Sequence, residues 1–260
     1  MDKTRISYEA CPLCDSTEFS LHLEADCTQH PLYWSAFPET IRWCRCHACG
    51  HFFTDGYFGD EALARLFSRT NQSQMAGHDI ETQRYISARM IEKVLPYASQ
   101  GNWLDIGFGN GSLLFTAEEF GFHPVGIELR QANVAALHHV GIEAYQADIA
   151  SFGWRGAFDV ISMADVLEHM AYPRQTLTSA HRLLGSKGVL FLSMPNMDSH
   201  VWKALDHSGS NPYWGELEHY HNFGRRRLCH LLADSGFEPV RYGVSERYRV
   251  CMEVIARKIV

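Results

Sequence analysis

The sequence predicts a doubly wound α/β fold, a sheet with helices on both faces, preceded by a small N-terminal module. Three observations predict it. The apolar stretch Trp103–Ile106 leads into a glycine-rich turn and then a helical pattern. Two later apolar stretches end in acidic residues, Glu128 and Asp148, and helical patterns separate all three. This alternation of strands and helices is typical of parallel βαβ units. Two CxxC pairs near the N-terminus lie outside it and indicate a separate module.

Glycine occupies every second position of the turn, at Gly107, Gly109 and Gly111. Glycine permits positive φ and lets a ligand lie against the backbone. The dinucleotide fingerprint has its third glycine one position later, where this chain has Ser112. Asp105, just before the turn, would repel a pyrophosphate but can receive an ammonium group. The turn therefore predicts a pocket for a nucleoside that carries an amino acid.

The next two strands supply carboxylates for the rest of such a ligand. Glu128 ends the second strand, where it can accept hydrogen bonds from both ribose hydroxyls. Asp148 follows the third strand and can accept a hydrogen bond from an adenine amino group. Three carboxylates at the ends of successive strands are a more specific signal than the glycines alone.

These three segments resemble motifs I, II and III of the class I S-adenosylmethionine-dependent methyltransferases, and Phe158–His169 resembles their fourth motif. The resemblance covers roughly residues 80–258. It implies a Rossmann-like seven-stranded methyltransferase sheet whose last strand is antiparallel. The alternative is a doubly wound domain that binds another ligand.

The strand ends and the resemblance together predict the contacts with S-adenosylmethionine. We expect the ammonium group on Asp105, loop contacts from Gly107, Phe108, Gly109 and Gly111, the ribose on Glu128, adenine between Leu129 and Ile149 with its amino group on Asp148, and the methionine arm along Met163 and Ala164. For Met163 and Leu129 the alternative to these roles is ordinary core packing.

Composition limits the partners and the compartment. The 260 residues are 46% apolar and carry a net charge of −7, so nucleic acid is not expected as a substrate. The basic run Arg225–Arg227 is interpreted as the solvated start of a helix. The N-terminus lacks an apolar signal segment and no window resembles a membrane span, which predicts a cytoplasmic protein without membrane attachment. Its 8 cysteines are then not expected to form disulfides.

Four of the cysteines form two CxxC knuckles, the arrangement of a tetrahedral structural zinc site. The 31 residues between the knuckles exceed the usual spacing, so a long hairpin or an inserted loop must fill the gap. The remaining cysteines, Cys27, Cys44, Cys229 and Cys251, are interpreted as small buried hydrophobes. The predicted zinc ligands are Cys11, Cys14, Cys46 and Cys49.

An N-terminal zinc ribbon of this kind is found in some small-molecule methyltransferases that modify sugars and natural products, and this chain is similar to them. The resemblance implies a zinc ribbon over residues 1–58 and a methyltransferase domain over 59–260. Within that domain we expect a helical cap over 59–100 and a substrate-side insertion over 195–224, which is rich in aromatic and titratable residues. The polar break at 72–78 is either a mobile lid or an ordinary connection.

Methyl transfer from a sulfonium needs orientation of the acceptor and, where required, one base. Glu218–Phe223 resembles an E-H-x-x-x-F segment at this place in related enzymes, so His219 is the first candidate for general base. His221 and His169 are the other candidates. For each histidine the alternative is a structural hydrogen bond.

Three functions remain open. The leading hypothesis is methylation of a small sugar or natural-product intermediate on oxygen, nitrogen or carbon. The second is a methyltransferase whose ribbon docks a macromolecular or carrier-bound substrate, and the third is a non-catalytic nucleoside-binding protein. The oligomeric state is also open, a homodimer included.

Overall fold

The computed structural model describes residues 5–67 and 72–259. Among these, the strands that precede the first helix are β1 (Arg5–Ser7), β2 (Phe19–Asp26), β3 (Thr40–Cys46), β4 (Phe52–Thr54) and β5 (Gly56–Phe58). β1 pairs with β5, and β3 pairs with both β2 and β4, all antiparallel. The β2–β3 hairpin fills the long gap between the two CxxC knuckles.

The rest of the chain alternates helices and strands, as the sequence predicts. In chain order the elements are α1 (Asp60–Phe67), α2 (Ile80–Val94), β6 (Gly101–Ile106), α3 (Ser112–Glu119), β7 (Phe122–Glu128), α4 (Gln131–His139), β8 (Glu143–Gln146), β9 (Phe158–Ala164), α5 (Pro173–Leu183), β10 (Leu184–Pro195), α6 (His200–His207), β11 (His221–Asn222), α7 (Arg225–Asp234), β12 (Phe237–Val244) and β13 (Cys251–Lys258).

Seven of these strands form one sheet in the order β12-β13-β10-β9-β6-β7-β8. The five neighbouring strands β8, β7, β6, β9 and β10 are parallel to one another. β13 is antiparallel to both of its neighbours, β10 and β12. This Rossmann-like sheet confirms the predicted fold class and the antiparallel last strand. Its parallel arrangement brings the carboxyl ends of β6, β7, β9 and β10 to one edge.

The apolar pattern explains how these elements pack. Residues 189–194 of β10 are wholly buried because helices cover both faces of the sheet. α2 buries one stripe, at Ser87, Met90, Ile91 and Val94, with the spacing of a helix that has one core-facing side. Residues 185–188 lie within β10, where its pairing with β9 is irregular.

Backbone pairing joins the N-terminal strands to the 195–224 segment. β11 adds to the edge of β4, with His221 opposite Phe53 and Asn222 opposite Phe52. The Thr54 amide donates to the Tyr220 carbonyl at 2.9 Å, just before this pair. The segment predicted to face the substrate therefore adds an edge strand to β2, β3 and β4, which gives a four-stranded sheet.

Among the helices within residues 5–67 and 72–259, none has both the length and the apolar character that crossing a membrane requires.

We expect Tyr220→Phe to lower the free energy of unfolding by about 1–3 kcal/mol, because it leaves a buried amide without a partner. The Tyr220 side chain is buried, and its hydroxyl accepts a hydrogen bond from the Phe58 amide at 3.1 Å. Urea unfolding measures the change. Tyr85→Phe is the matched control because that ring is 66% exposed, and an equal loss in both variants would contradict the assignment.

Candidate functional site

A chain of hydrogen bonds fixes the acidic residue at the end of β6. The Trp103 indole donates to the Ser162 hydroxyl at 2.8 Å, and this hydroxyl donates to Asp105 Oδ1 at 2.6 Å. Asp105 and Ser162 are register partners on β6 and β9, so backbone pairing sets their approach. Burial raises the pKa of Asp105 to about 6, although the bond from Ser162 opposes the shift. The carboxyl is therefore held in one orientation, and it ionises readily near neutral pH.

The turn after β6 has the backbone that its glycines predict. Gly107, Gly109 and Gly111 all have positive φ, at 64°, 52° and 76°. A Cβ at Gly111 would also lie 2.8 Å from Leu137 Cδ1, so a side chain there has no room. The turn thus needs glycine at these positions for its conformation, and at Gly111 for space as well.

Glu128 lies beside this turn at the end of β7. Its carboxylate accepts hydrogen bonds from the Gly109 amide at 3.3 Å and from the Leu129 and Arg130 amides at 2.8 and 3.1 Å. The side chain is buried. Its position therefore links the glycine turn to the end of the neighbouring strand, the arrangement that a ligand bridging the two strands requires.

The polar break before α2 packs over the same turn. Asn133 donates to the carbonyls of Gln74 at 2.9 Å and Gly109 at 3.0 Å. Arg130 donates to Gln74 Oε1 at 2.7 Å, and the Gly77 amide donates to the Asn110 carbonyl at 3.0 Å. The described part of the 72–78 segment thus covers the glycine turn, as either a lid or a connection would.

The other predicted cofactor residues differ in exposure. Phe108, Ile149 and Met163 are buried in the core, so only the backbone of Phe108 is offered to the turn. Leu129 and Asp148 are exposed, and Asp148 Oδ1 accepts from the Ala150 amide at 2.7 Å. The remaining predicted residue, Ala164, is buried at the end of β9.

A second polar cluster lies at the same sheet edge and consists of Glu168, His169 and His219. One potential ligand atom from each lies within 4.8 Å of the others. The Tyr220 amide donates to the Glu168 carbonyl at 2.9 Å, so backbone contact fixes this arrangement. His169 Nδ1 lies 3.0 Å from the Glu218 carbonyl, and the His169 ring stands edge-on to that of His219.

Burial favours the uncharged forms of both Glu168 and His219. Burial and nearby Asp165 raise the pKa of Glu168 well above its usual range. Burial, together with His169 and His30, lowers the pKa of His219 well below the ordinary histidine value. Within the described residues, both Glu168 carboxyl oxygens and His219 Nδ1 are buried without hydrogen-bond partners. The cluster can accept a proton, bind a polar acceptor or hold a divalent cation.

Asp165 connects this cluster with the end of β10. It has φ of 59°, and its Oδ1 accepts from the Ser193 hydroxyl at 3.0 Å. Arg247 lies 3.9 Å from Oδ2, while burial raises the pKa of Asp165. Val166 packs closely against Gly107, since a Cβ added to this glycine would lie 3.0 Å from Val166 Cγ2. The glycine turn and the Glu168 cluster are therefore neighbours.

The other candidate base, His221, has a different environment. Its Nε2 lies 2.9 Å from the Met170 carbonyl and its Nδ1 lies 3.0 Å from His51 Nε2. Burial lowers the pKa of His221 to about 3, so the ring is neutral. Both ring nitrogens are already engaged, an arrangement that favours a structural role over proton transfer.

The four predicted metal ligands converge. Cys11 Sγ lies 3.7 Å from Cys49 Sγ, and Cys14 Sγ lies 3.5 Å from Cys46 Sγ. A tetrahedral zinc with bonds of about 2.3 Å requires sulfur atoms about 3.8 Å apart, so the donor set fits. Shared hydrogen bonding raises the pKa of Cys11 and lowers that of Cys49 to about 5.

Sequence reasoning missed several of these residues. Ser162 holds Asp105, but it is one small residue within an apolar strand. Gln74 and Asn133 lie far apart in the sequence, and only their packing over Gly109 brings them together. Glu168 had a usable signal, since it adjoins His169 after a strand end, but its burial was not visible in the sequence.

Solved structures with similar folds include several methyltransferases. The 1,6-didemethyltoxoflavin-N1-methyltransferase of Burkholderia thailandensis, with bound 1,6-didemethyltoxoflavin and S-adenosylhomocysteine, is 18% identical, with a TM-score of 0.58 over 82% of this chain and 98% of that one. The magnesium protoporphyrin IX methyltransferase of Synechocystis is 19% identical, with a TM-score of 0.54 over 69% and 84%. The N-methyltransferase NodS of Bradyrhizobium japonicum is 17% identical, with a TM-score of 0.51 over 71% and 99%. At these identities the likeness shows a shared fold.

The family is shown by a match to a family model rather than to a single relative. A search of functionally curated proteins gave no significant match. The family model described as a methyltransferase domain matches residues 56–242, which is 187 of 260 residues. Together with the strand order and the glycine turn, this match shows that the chain belongs to the S-adenosylmethionine-dependent class I methyltransferases.

Proposed function

We propose that this enzyme methylates a small-molecule acceptor and that His219 is the general base. The observation that carries the proposal is the adjacency of two polar sites, with Gly107 of the cofactor turn packed against Val166 and the Glu168 cluster directly following it. One site suits the methyl donor and the other suits a nucleophile. When bound, S-adenosylmethionine supplies an activated methyl group.

For the cofactor we propose the roles that the strand ends suggest. Asp105, held by Ser162, receives the ammonium group, and Glu128 accepts from the ribose hydroxyls. Asp148 and Leu129 lie at the exposed tips beside them, where adenine and its amino group would reach. The backbone of Gly107, Phe108, Gly109 and Gly111 forms the floor, and Ile149, Met163 and Ala164 support it from the core.

For the acceptor we propose a small molecule with a hydroxyl, amino or acidic carbon group. Glu168 is 1% exposed and His219 is 8% exposed, so a bulky macromolecular surface could not approach them without rearrangement. The solved N1-methyltransferase of Burkholderia thailandensis has bound 1,6-didemethyltoxoflavin, a small molecule, together with S-adenosylhomocysteine, which is consistent with this class. The acceptor's proton passes to His219, and the imidazolium that forms lies beside the Glu168 carboxyl group.

For the knuckles we propose a structural zinc ion held by Cys11, Cys14, Cys46 and Cys49. Four thiols leave no open coordination position, so the ion stabilises the fold and does no chemistry. A reducing cytoplasm, which keeps such thiols available, remains our prediction for the location of the protein.

Asp105→Asn should weaken binding of S-adenosylhomocysteine by about tenfold to a hundredfold, because the ammonium group loses its charged partner. Wild-type affinity should also fall as the pH drops from about 7.5 to 5.5, since protonation of a carboxyl with a pKa of about 6 removes that charge. Calorimetry at both pH values measures these effects. Asp159→Asn, on the same sheet but remote from the turn, is the control, and an affinity independent of pH in wild type would contradict the role of Asp105.

His219→Asn should lower the single-turnover rate by about 10²–10⁴-fold, because the acceptor loses its base, while affinity for S-adenosylhomocysteine stays unchanged. The assay uses an acceptor found by screening small hydroxylated and amino compounds. His200→Asn, on exposed α6, is the matched control. An unchanged rate for the His219 variant would remove the assignment and transfer it to His169 for testing.

Purified protein should contain about one zinc ion per chain by elemental mass spectrometry. Cys14→Ser should lose the metal and lower the melting temperature, because the ion adds a direct link between two knuckles that are otherwise joined by β2–β3 pairing. Cys229→Ser, on α7 and outside the cluster, should retain both. Well under one zinc per chain in the wild type would contradict the proposal.

A further inference from the structure

A cavity lies beside β11 and the second cysteine knuckle. Its volume is about 410 Å³, within the range of small-molecule sites. It is formed between β3, β4, β11, the first turns of α7 and residues 49–51, which include the proposed zinc ligand Cys49. Neither the glycine turn nor the Glu168 cluster contributes to its lining, so it is separate from the proposed active site.

The cavity concentrates positive charge in an otherwise acidic protein. Arg45, Arg226 and Arg227 line it, with His230 beside them and Asp198 as the one carboxylate. Asp198 Oδ2 accepts from the Arg226 amide at 3.3 Å, so it caps α7 rather than neutralising a guanidinium. Within the described residues, the guanidinium groups of Arg45 and Arg226 form no ion pair, whereas that of Arg227 lies 3.6 Å from Asp234.

A buried amide without partners lies at the floor of the same cavity. Asn222 is 1% exposed, and neither its Oδ1 nor its Nδ2 has a hydrogen-bond partner within the described part of the chain. The buried Nε of Arg227 also has no hydrogen-bond partner among the described residues. An unsatisfied buried polar group destabilises the fold, so a ligand that bonds to these atoms would recover that cost.

We propose that this cavity is a binding site for a phosphate group. Guanidinium groups bind phosphate oxygens through paired hydrogen bonds, and three arginines line this cavity, two of them without an ion pair among the described residues. The Asn222 amide needs both an acceptor and a donor, and a phosphate ester offers oxygens together with a partly protonated hydroxyl near neutral pH. A carboxylate offers acceptors alone and matches the donor set less well.

The volume also bears on the size of the ligand. A cavity of about 410 Å³ has room for an organic group attached to the phosphate. Phe52 and Met197 give the cavity an apolar wall, and the Arg45 guanidinium lies 5.6 Å from the Phe52 ring centroid. The shared chemistry is the phosphate, and free phosphate and a phosphate ester are its two sources.

Calorimetry on the full chain, saturated with S-adenosylhomocysteine at constant ionic strength, tests the site with inorganic phosphate, ribose 5-phosphate and malonate. Arg45→Gln and Arg226→Gln should each weaken phosphate binding by about tenfold, through loss of a charge-assisted contact. Arg225→Gln is the matched control, because this neighbouring arginine stacks on Tyr242 instead of lining the cavity. Its affinity should stay within about twofold of wild type.

Each outcome decides the proposal. Tighter binding of ribose 5-phosphate than of inorganic phosphate supports a site for a phosphate ester, and equal binding supports a site for the free ion. Absence of phosphate binding, an equal loss in Arg225→Gln, or tighter binding of malonate overturns the proposal. The titration measures binding of phosphate compounds and uses no methyl acceptor. Failure of methyl transfer would therefore leave this result unaffected.

Discussion

The pairing of β11 with β4 is the constraint on which the arrangement of the two sites depends. This two-residue strand joins the segment that carries His219 to β4, the strand that follows the second cysteine knuckle. It directs His219 towards Glu168 on one side and leaves Asn222 at the floor of the arginine-lined cavity on the other. The N-terminal strands therefore shape the region where we propose that the acceptor binds. A metal that orders them would act on this region through β11 and through other contacts, such as the bond from the Tyr8 hydroxyl to the Ala171 carbonyl at 2.7 Å.

Burial sets the charge states at the sheet edge. The pKa values of Asp105, Asp165 and Glu168 are raised, and that of His219 is lowered, mainly because each charged form is removed from water. A positively charged methyl donor entering beside these carboxyls would favour their ionised forms. The fold fixes the positions of these carboxyls before any ligand binds, so their charge can develop without rearrangement of the site.

Much of the proposed cofactor site could be argued from the sequence because its signals are local. Positive φ at alternate glycines, an acid at each strand end and two thiols two residues apart each depend on a few neighbouring residues. The seven-stranded sheet followed from apolar runs and family resemblance. The sequence was less informative about 195–224, since its aromatic and titratable residues indicated a functional region without indicating which side chains face one another.

What the sequence by itself determined was the class of fold, the glycine turn, the three carboxylates at strand ends and the convergence of four cysteines. Only the tertiary structure decided that Ser162 orients Asp105, that His221 has both ring nitrogens engaged while His219 Nδ1 has no partner among the described residues, and that Arg45 meets the first turn of α7. The physical reason is that burial and partner choice are set by contacts between residues distant in the chain. β11 is too short to carry a periodic pattern, so its pairing with β4 leaves no local trace.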